Sequence, residues 1–191
     1  MTKALLNKIV LLAFMLAMMG MASGQSISYS SIYDISGGLT HATSYSVTTE
    51  QPSLTSARFS PDGHTLYTIG NSDDEINQYS VSTAFDLTST VVHQGLLSVS
   101  VEISLPYDFA FSSDGKKLFV VDGLSVYEYS VSSAFDVTST VTFVESISFI
   151  SNLRSIRFSN DGETMFLGLL NGIRQYSLTA PYDISTFSYV G

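Results

Sequence analysis

One ten-residue segment occurs three times in this chain and constrains its fold more than any other feature. The copies are Arg58–Tyr67, Ala110–Phe119 and Arg157–Phe166. Each copy contains the motif Phe-Ser-x-Asp-Gly and then enters an apolar run. Self-similarity at a fixed period is the signature of a repeat architecture, in which every unit adopts the same supersecondary structure.

A second repeated segment follows each copy and ends in an aromatic residue and an aspartate. These segments are Gln78–Asp86, Glu128–Asp136 and Gln175–Asp183, and a degenerate version ends at Asp34. The units therefore end near residues 34, 86, 136 and 183, roughly 50 residues apart, a spacing that suits a four-stranded propeller blade.

The Asp-Gly pairs predict tight hairpin turns. Aspartate hydrogen-bonds nearby backbone groups, and glycine accepts the left-handed conformation that closes such a turn. We assign this structural role to three pairs: Asp62 and Gly63, Asp114 and Gly115, and Asp161 and Gly162.

The strands after these turns are nearly continuous in apolar residues rather than alternating. They are Leu66–Ile69, Leu118–Val121 and Met165–Leu167. Continuous apolar strands are typical of sheets buried on both faces. The prediction is an all-β protein built from β-propeller blades of four antiparallel strands, with about three full units and an incomplete ring.

The first 24 residues have the pattern of a signal peptide. Lys3 and Lys8 precede or open an apolar stretch, Ile9–Met19, and small residues end the segment at Gly24. The expected domains are thus a signal peptide at 1–24 and a repeat domain at 25–191, with an uncleaved membrane anchor as the alternative. Export would place the protein outside the cell, in a periplasm or on the cell surface.

Charge narrows the range of partners. The chain carries 8 Lys and Arg against 17 Asp and Glu, a net charge of −9. Binding to phosphate backbones draws on clustered Lys and Arg, so no nucleic-acid partner is expected. The expected partner is therefore a protein or carbohydrate ligand of unknown identity. The chain contains no cysteine that could form a disulfide.

The segment Phe59–Tyr67, with its Phe-Ser-Pro-Asp-Gly-His-Thr-Leu-Tyr sequence, resembles the repeat of YVTN and lactonase-like β-propellers. The likeness extends over about residues 25–191, and the second repeated segment resembles repeats of secreted and phage-associated bacterial proteins. The Tyr-Val-Thr-Asn tetrapeptide itself is missing. The resemblance implies a propeller and no particular catalytic residue, because such propellers include lactonases, surface-layer proteins and binding modules alike.

Three units are fewer than the four or more that propellers ordinarily contain. A truncated reading frame, a homo-oligomer in which further copies complete the ring, and a short open array are the alternatives.

Residues that break the repeat are the candidates for a site. Arg58 and Arg157 share a position at which the middle unit has Ala110, and they could bind an anion or pair with a neighbouring acid. Asp73, Asp74 and Glu75 lie where the other units have Asp-Gly and Asn-Gly, so their carboxylates could bind calcium, with a solvated hairpin tip as the alternative.

No nucleophile motif, phosphate-binding glycine loop or dinucleotide motif occurs in the sequence. We expect no catalytic residues and a noncatalytic exported propeller that acts as a binding, structural or surface module. The alternatives are a lactonase-like hydrolase and a truncated fragment without independent function.

Overall fold

The computed structural model describes residues 42–149 and 152–190, and the described residues from Thr43 onward form one compact unit. The predicted signal peptide and the degenerate unit ending at Asp34 lie outside the described residues. Among the described residues, no helix is long and apolar enough to cross a membrane.

Three four-stranded antiparallel sheets account for the described structure. The first sheet contains β1 (Leu54–Phe59), β2 (Thr65–Gly70), β3 (Glu75–Val81) and β4 (Val91–Ser98). The second contains β5 (Asp108–Phe111), β6 (Lys117–Val121), β7 (Ser125–Val131) and β8 (Val141–Ser148). The third contains β9 (Leu153–Phe158), β10 (Thr164–Leu169), β11 (Gly172–Leu178) and β12 (Phe187–Tyr189), with a short 3-10 turn at Ile184–Thr186.

Within each sheet the strands follow one another in chain order, so each repeat unit forms one meander. The all-β prediction is confirmed, and the described residues contain no α-helix and do not close a ring. Each predicted apolar run falls in the second strand of its sheet.

The first strand of each sheet ends in the predicted Asp-Gly turn. In the first sheet the Ser60 hydroxyl donates to Asp62 Oδ1 at 2.6 Å, and the His64 backbone N–H donates to the same oxygen at 3.1 Å. These bonds lower the pKa of Asp62, the serine bond having the larger effect. Gly63 has φ of +76°, which L-residues with a side chain rarely adopt.

The two repeated segments of a unit hold each other in place. The Phe85 backbone N–H donates to Gly63 O at 3.0 Å, and the Phe85 ring lies so close to Gly63 that an added Cβ would stand 2.4 Å from it. The other units repeat this contact with Phe135 on Gly115 and Tyr182 on Gly162. The aromatic residue before each recurring aspartate therefore covers the turn glycine of its own unit.

The sheets pack face to face. Tyr67, Ile69 and Ile76 of the first sheet are buried against residues of the second that include Phe109 and Leu118. The opposite face of the second sheet packs on the third in the same way, through Phe119, Val121 and Val126.

The prediction that all three second strands are buried on both faces is wrong for β10. There Phe166 and Gly168 are only half-buried. The counterparts of Phe166 in the other two sheets, Tyr67 and Phe119, are fully buried, because another sheet covers them. No further sheet lies on this side of the third sheet within the described part of the chain.

The first strands of the three sheets lie side by side, with β5 next to both β1 and β9. This arrangement brings the C-terminal ends of the three strands and their Asp-Gly turns to one rim of the structure.

Candidate functional site

Asp108, at the start of β5, connects the three first strands. Its side chain is 5% exposed and accepts hydrogen bonds from both flanking sheets. Arg58 Nη2 on β1 donates to its two oxygens at 2.7 and 2.9 Å, and Arg157 Nη1 on β9 donates to Oδ2 at 2.7 Å. The Ser56 hydroxyl and the Ile156 backbone N–H add bonds of 2.7 and 3.1 Å. Both carboxylate oxygens of Asp108 are thus occupied by donors.

This cluster arises because the middle unit differs from the two outer units at two repeat positions. The outer units have serine and then arginine, as Ser56 with Arg58 and Ser155 with Arg157, whereas the middle unit has Asp108 with Ala110. The small Ala110 side chain leaves room for two arginines, and the acid that neutralises one of them comes from the middle unit. The cluster therefore carries a net charge of +1.

The two arginines predicted from the broken repeat are brought together by the structure, and each is paired with an acid. They are not equally covered, since the Arg58 side chain is 22% exposed and the Arg157 side chain 53%. The bonds of Arg157 to Asp108 and to Ile156 O both use Nη1. Its Nε and Nη2 have no hydrogen-bond partner among the described residues.

A cavity of about 460 Å³ opens at the rim above this cluster. We call it the mouth cavity. Its walls are formed by equivalent residues of the three units at the ends of β1, β5 and β9. The lining residues are Arg58, Phe59, Ser60, Pro61, Ala110, Phe111, Ser112, Ser113, Phe135, Arg157, Phe158, Ser159, Asn160 and Tyr182.

Aromatic rings dominate the walls of the mouth cavity. Phe111 packs on Phe135 with ring centroids 5.4 Å apart, and Phe158 packs on Tyr182 at 5.2 Å. The lining hydroxyls of Ser60, Ser112 and Ser159 are engaged in their turns by bonds to the adjacent aspartates. The cavity therefore presents apolar rings, guanidinium N–H donors and the polar side chains of Ser113 and Asn160 to an occupant.

The acidic segment that we considered for calcium lies at the tip of the β2–β3 hairpin, away from the mouth cavity. Asp74 has φ of +54°, and its Oδ1 accepts the Leu105 backbone N–H at 2.9 Å. The Asp73 carboxylate accepts the Ser72 hydroxyl at 3.3 Å, and Glu75 begins β3. Among the described residues, no three acidic or histidine side chains converge as a metal site.

Two parts of the site were missed in the sequence. Asp108 precedes the ten-residue segment in which the repeats were compared, although an acid at a position with serine in both other units was a visible signal. The aromatic wall was missed because Phe135 and Tyr182 were read only as marks of the unit ends.

No protein-family model matches the chain, and no curated protein matches it. Solved structures do resemble its fold. A functionally unknown protein from Desulfotomaculum acetoxidans aligns with a TM-score of 0.53 and 16% identity over 72% of this chain and 41% of that one. The periplasmic gluconolactonase of Pseudomonas aeruginosa aligns with a TM-score of 0.50 and 16% identity over 72% of this chain and 38% of that one. The WD40 repeats of RRP9 align with a TM-score of 0.50 and 15% identity over 73% of this chain and 38% of that one.

These neighbours show that the three sheets are β-propeller blades. Their low identity shows the fold alone. The chain spans about two fifths of the length of the solved structures it matches.

Proposed function

We propose that this chain is a noncatalytic binding module of propeller type, whose mouth cavity binds a small ligand that carries a carboxylate on an apolar or aromatic body. The observation that carries the proposal is the half-exposed guanidinium of Arg157, anchored on the buried Asp108 in an aromatic cavity.

The guanidinium supports the choice of a carboxylate. Arginine presents its N–H donors in a planar fork that matches the two oxygens of a carboxylate. Asp108 holds Nη1 of Arg157, which fixes the group while Nε and Nη2 remain on the other edge of the fork. A fixed donor pair loses little conformational entropy when a ligand arrives.

The walls support an apolar body for the ligand. Phe111, Phe158 and Tyr182 offer ring faces and edges around a volume of about 460 Å³, which is in the range of small-molecule sites. Burying the ligand's apolar surface against these rings supplies most of the affinity, and the guanidinium supplies orientation.

The noncatalytic role is supported by how the ionisable groups are used. Asp108 has both oxygens engaged by five hydrogen bonds, which leaves no lone pair directed at the cavity for proton transfer. Among the residues that the structure describes, no acid or histidine lines the mouth cavity. Export of the module is part of the proposal, and its support is the pattern of residues 1–24.

The test uses phenylacetate as the probe and its neutral analogue phenylacetamide as the comparison, with binding measured by calorimetry. Phenylacetate is expected to bind with a dissociation constant of about 1 mM or lower, a level typical of a ligand this small. Phenylacetamide is expected to bind at least about tenfold more weakly, because it is neutral and has one acceptor oxygen, so it cannot form the charge-assisted bidentate pair with the guanidinium.

Two variants on the same strand localise the binding. Arg157→Gln removes the exposed guanidinium and is expected to weaken phenylacetate binding by about tenfold or more, while Arg58 still holds Asp108. Arg154→Gln is the control, because Arg154 stacks on the Tyr107 ring at 4.0 Å and does not line the cavity. Equal binding by both variants would contradict the site. Sustained hydrolysis of a δ-lactone that is lost in Arg157→Gln would favour the lactonase-like alternative.

A further inference from the structure

The packing between neighbouring sheets is repeated twice in the chain, and equivalent residues meet at both junctions. Ile76 of the first sheet and Val126 of the second sheet occupy the same repeat position, three residues before the recurring tyrosine. Both are 0% exposed, because the next sheet covers them. On the facing sheet of the second junction, Leu153 of the third sheet packs on the second sheet and is only 1% exposed.

The face of the third sheet that is equivalent to the Ile76 and Val126 faces has no described residues packed against it. Ile173 is the counterpart of Ile76 and Val126, yet its side chain is 77% exposed. Leu170, in the adjacent β10–β11 turn, is 62% exposed. An exposed isoleucine at a position that is otherwise buried is the mark of an interaction surface.

The first sheet carries the surface that is equivalent to the Leu153 side of the junction. Leu54 is the counterpart of Leu153, and it is 49% exposed. It lines an apolar cavity of about 300 Å³ on the face of the first sheet that no other described sheet covers, together with Tyr45, Leu66 and Leu87. An apolar side chain such as that of Ile173 matches the apolar character of this cavity.

The hydrogen-bond acceptor and donor of one polar contact at the junction also recur, separately, on the third and first sheets. Gln78 of the first sheet accepts the Val137 backbone N–H of the second sheet at 2.9 Å. Gln175 is the counterpart of Gln78 and is exposed, and Leu87 is the counterpart of Val137. The Leu87 N–H has no hydrogen-bond partner among the described residues. The third sheet thus offers the acceptor and the first sheet the donor of one further junction.

We propose that a second copy of this chain completes the ring, with the third sheet of each copy packed on the first sheet of the other. A second copy is the occupant because one chain carries both halves of the junction, apolar and polar, in the arrangement that its own sheets use twice. Two copies joined head to tail by two equal junctions bring six of the described blades together, within the range of known propellers. The proposal does not depend on any ligand in the mouth cavity.

The test is the molar mass of the purified protein in solution, measured by light scattering and sedimentation over a range of concentrations. The expected species is a dimer. A monomer at every concentration would overturn the proposal, and so would an open-ended series of larger species, because the two junctions would then fail to close.

Three aspartate variants distinguish this pairing from other contacts. Ile173→Asp and Leu54→Asp each place a charge in both junctions of a symmetric dimer and are expected to raise its dissociation constant about 100-fold or more. Val101→Asp is the control, because Val101 is 89% exposed and lies in the β4–β5 loop outside both halves. It is expected to leave the dimer unchanged.

Mixing the two disruptive variants gives the sharpest result. A pair of one Ile173→Asp copy and one Leu54→Asp copy has one junction with both charges and one junction with neither. Mixing is therefore expected to give a heterodimer held by the unmodified junction, a species that neither variant forms alone. If only Ile173→Asp disrupts the dimer and mixing restores nothing, third sheets pair with each other and the head-to-tail arrangement is wrong.

Discussion

The two junctions between the blades use the same backbone arrangement with different chemistry. At the junction of the first and second sheets, the neutral Gln78 spans the gap and Thr65 begins β2, two residues before Tyr67, the strand partner of Gln78. At the junction of the second and third sheets, the same positions hold Glu128 and Lys117, whose side chains form an ion pair of 2.8 Å. Lys117 also donates to Tyr182 O of the third sheet at 2.7 Å.

The difference shows that these two positions change together. The Glu128 side chain is 4% exposed, and its Oε2 has no hydrogen-bond partner. Burial raises the pKa of Glu128, although Lys117 partly opposes this effect. A buried carboxylate is tolerated at this junction because lysine replaces the threonine of the other units, whereas glutamine needs no such partner.

The largest effect is expected from removing the lysine alone. Lys117→Thr gives the second unit the residue of the other two but leaves the Glu128 carboxylate buried without its counter-charge. The free energy of unfolding is expected to fall by about 2–3 kcal/mol, less than the roughly 3–5 kcal/mol of fully buried ion pairs broken on one side, because the Lys117 side chain is 36% exposed. Urea denaturation at neutral pH, followed by circular dichroism, measures the change.

The matched control converts both positions. The double variant with Lys117→Thr and Glu128→Gln reproduces the chemistry of the first junction, so its stability is expected to return to within about 1 kcal/mol of the original protein. A double variant as unstable as Lys117→Thr alone would contradict the view that the lysine is needed only to neutralise the glutamate.

A smaller effect is expected from the aromatic residue that distinguishes the junctions. The Tyr67 hydroxyl donates to the backbone carbonyl of Phe135 across the first junction, whereas its counterpart Phe119 has no hydroxyl. Tyr67→Phe is expected to lower the free energy of unfolding by about 1 kcal/mol.

The control for this change is a second buried tyrosine of the same sheet. The Tyr79 hydroxyl is buried without a hydrogen-bond partner, and burial raises its pKa to about 12. Tyr79→Phe removes no bond and is expected to leave stability unchanged or to increase it. Equal losses in both variants would show that the contact with Phe135 contributes nothing specific.

The smallest effect is a change in pH dependence. The pKa of Glu128 is raised above its ordinary value of 4.5, so the folded protein holds this proton more tightly than the unfolded chain. Stability that depends on Glu128 is therefore present below pH 4.5 and is lost as the pH rises through the folded pKa. In Glu128→Gln this loss is absent, so the variant is expected to gain stability relative to the original protein as the pH rises from 4.5. Parallel stability curves for the two proteins would contradict this explanation.

The turns and strands could be predicted from the sequence because their causes are local. Asp62 and Gly63 adopt their conformation through bonds within a few residues, so the motif alone is sufficient. The repeat then extended this prediction to every unit. Burial of β10 was predicted wrongly, because it depends on a neighbouring sheet and not on the strand itself.

The site could be predicted only in part. Arg58 and Arg157 were recognised because they break the repeat at one position. Their shared partner Asp108 lies about 50 residues from each of them, and only the side-by-side arrangement of β1, β5 and β9 brings the three together. The aromatic wall of the mouth cavity likewise joins residues of different units, a relation that a motif within one unit does not contain.

The most direct test of a carboxylate site in the mouth cavity is to observe the arginine side chains during ligand addition. The Nε–Hε signals of Arg157 and Arg154 can be followed by NMR while phenylacetate is titrated. Because Nε of Arg157 faces a ligand in our account, its signal is expected to shift saturably, while that of Arg154 stays in place. No saturable shift at Arg157, or equal shifts at both arginines, would contradict the account.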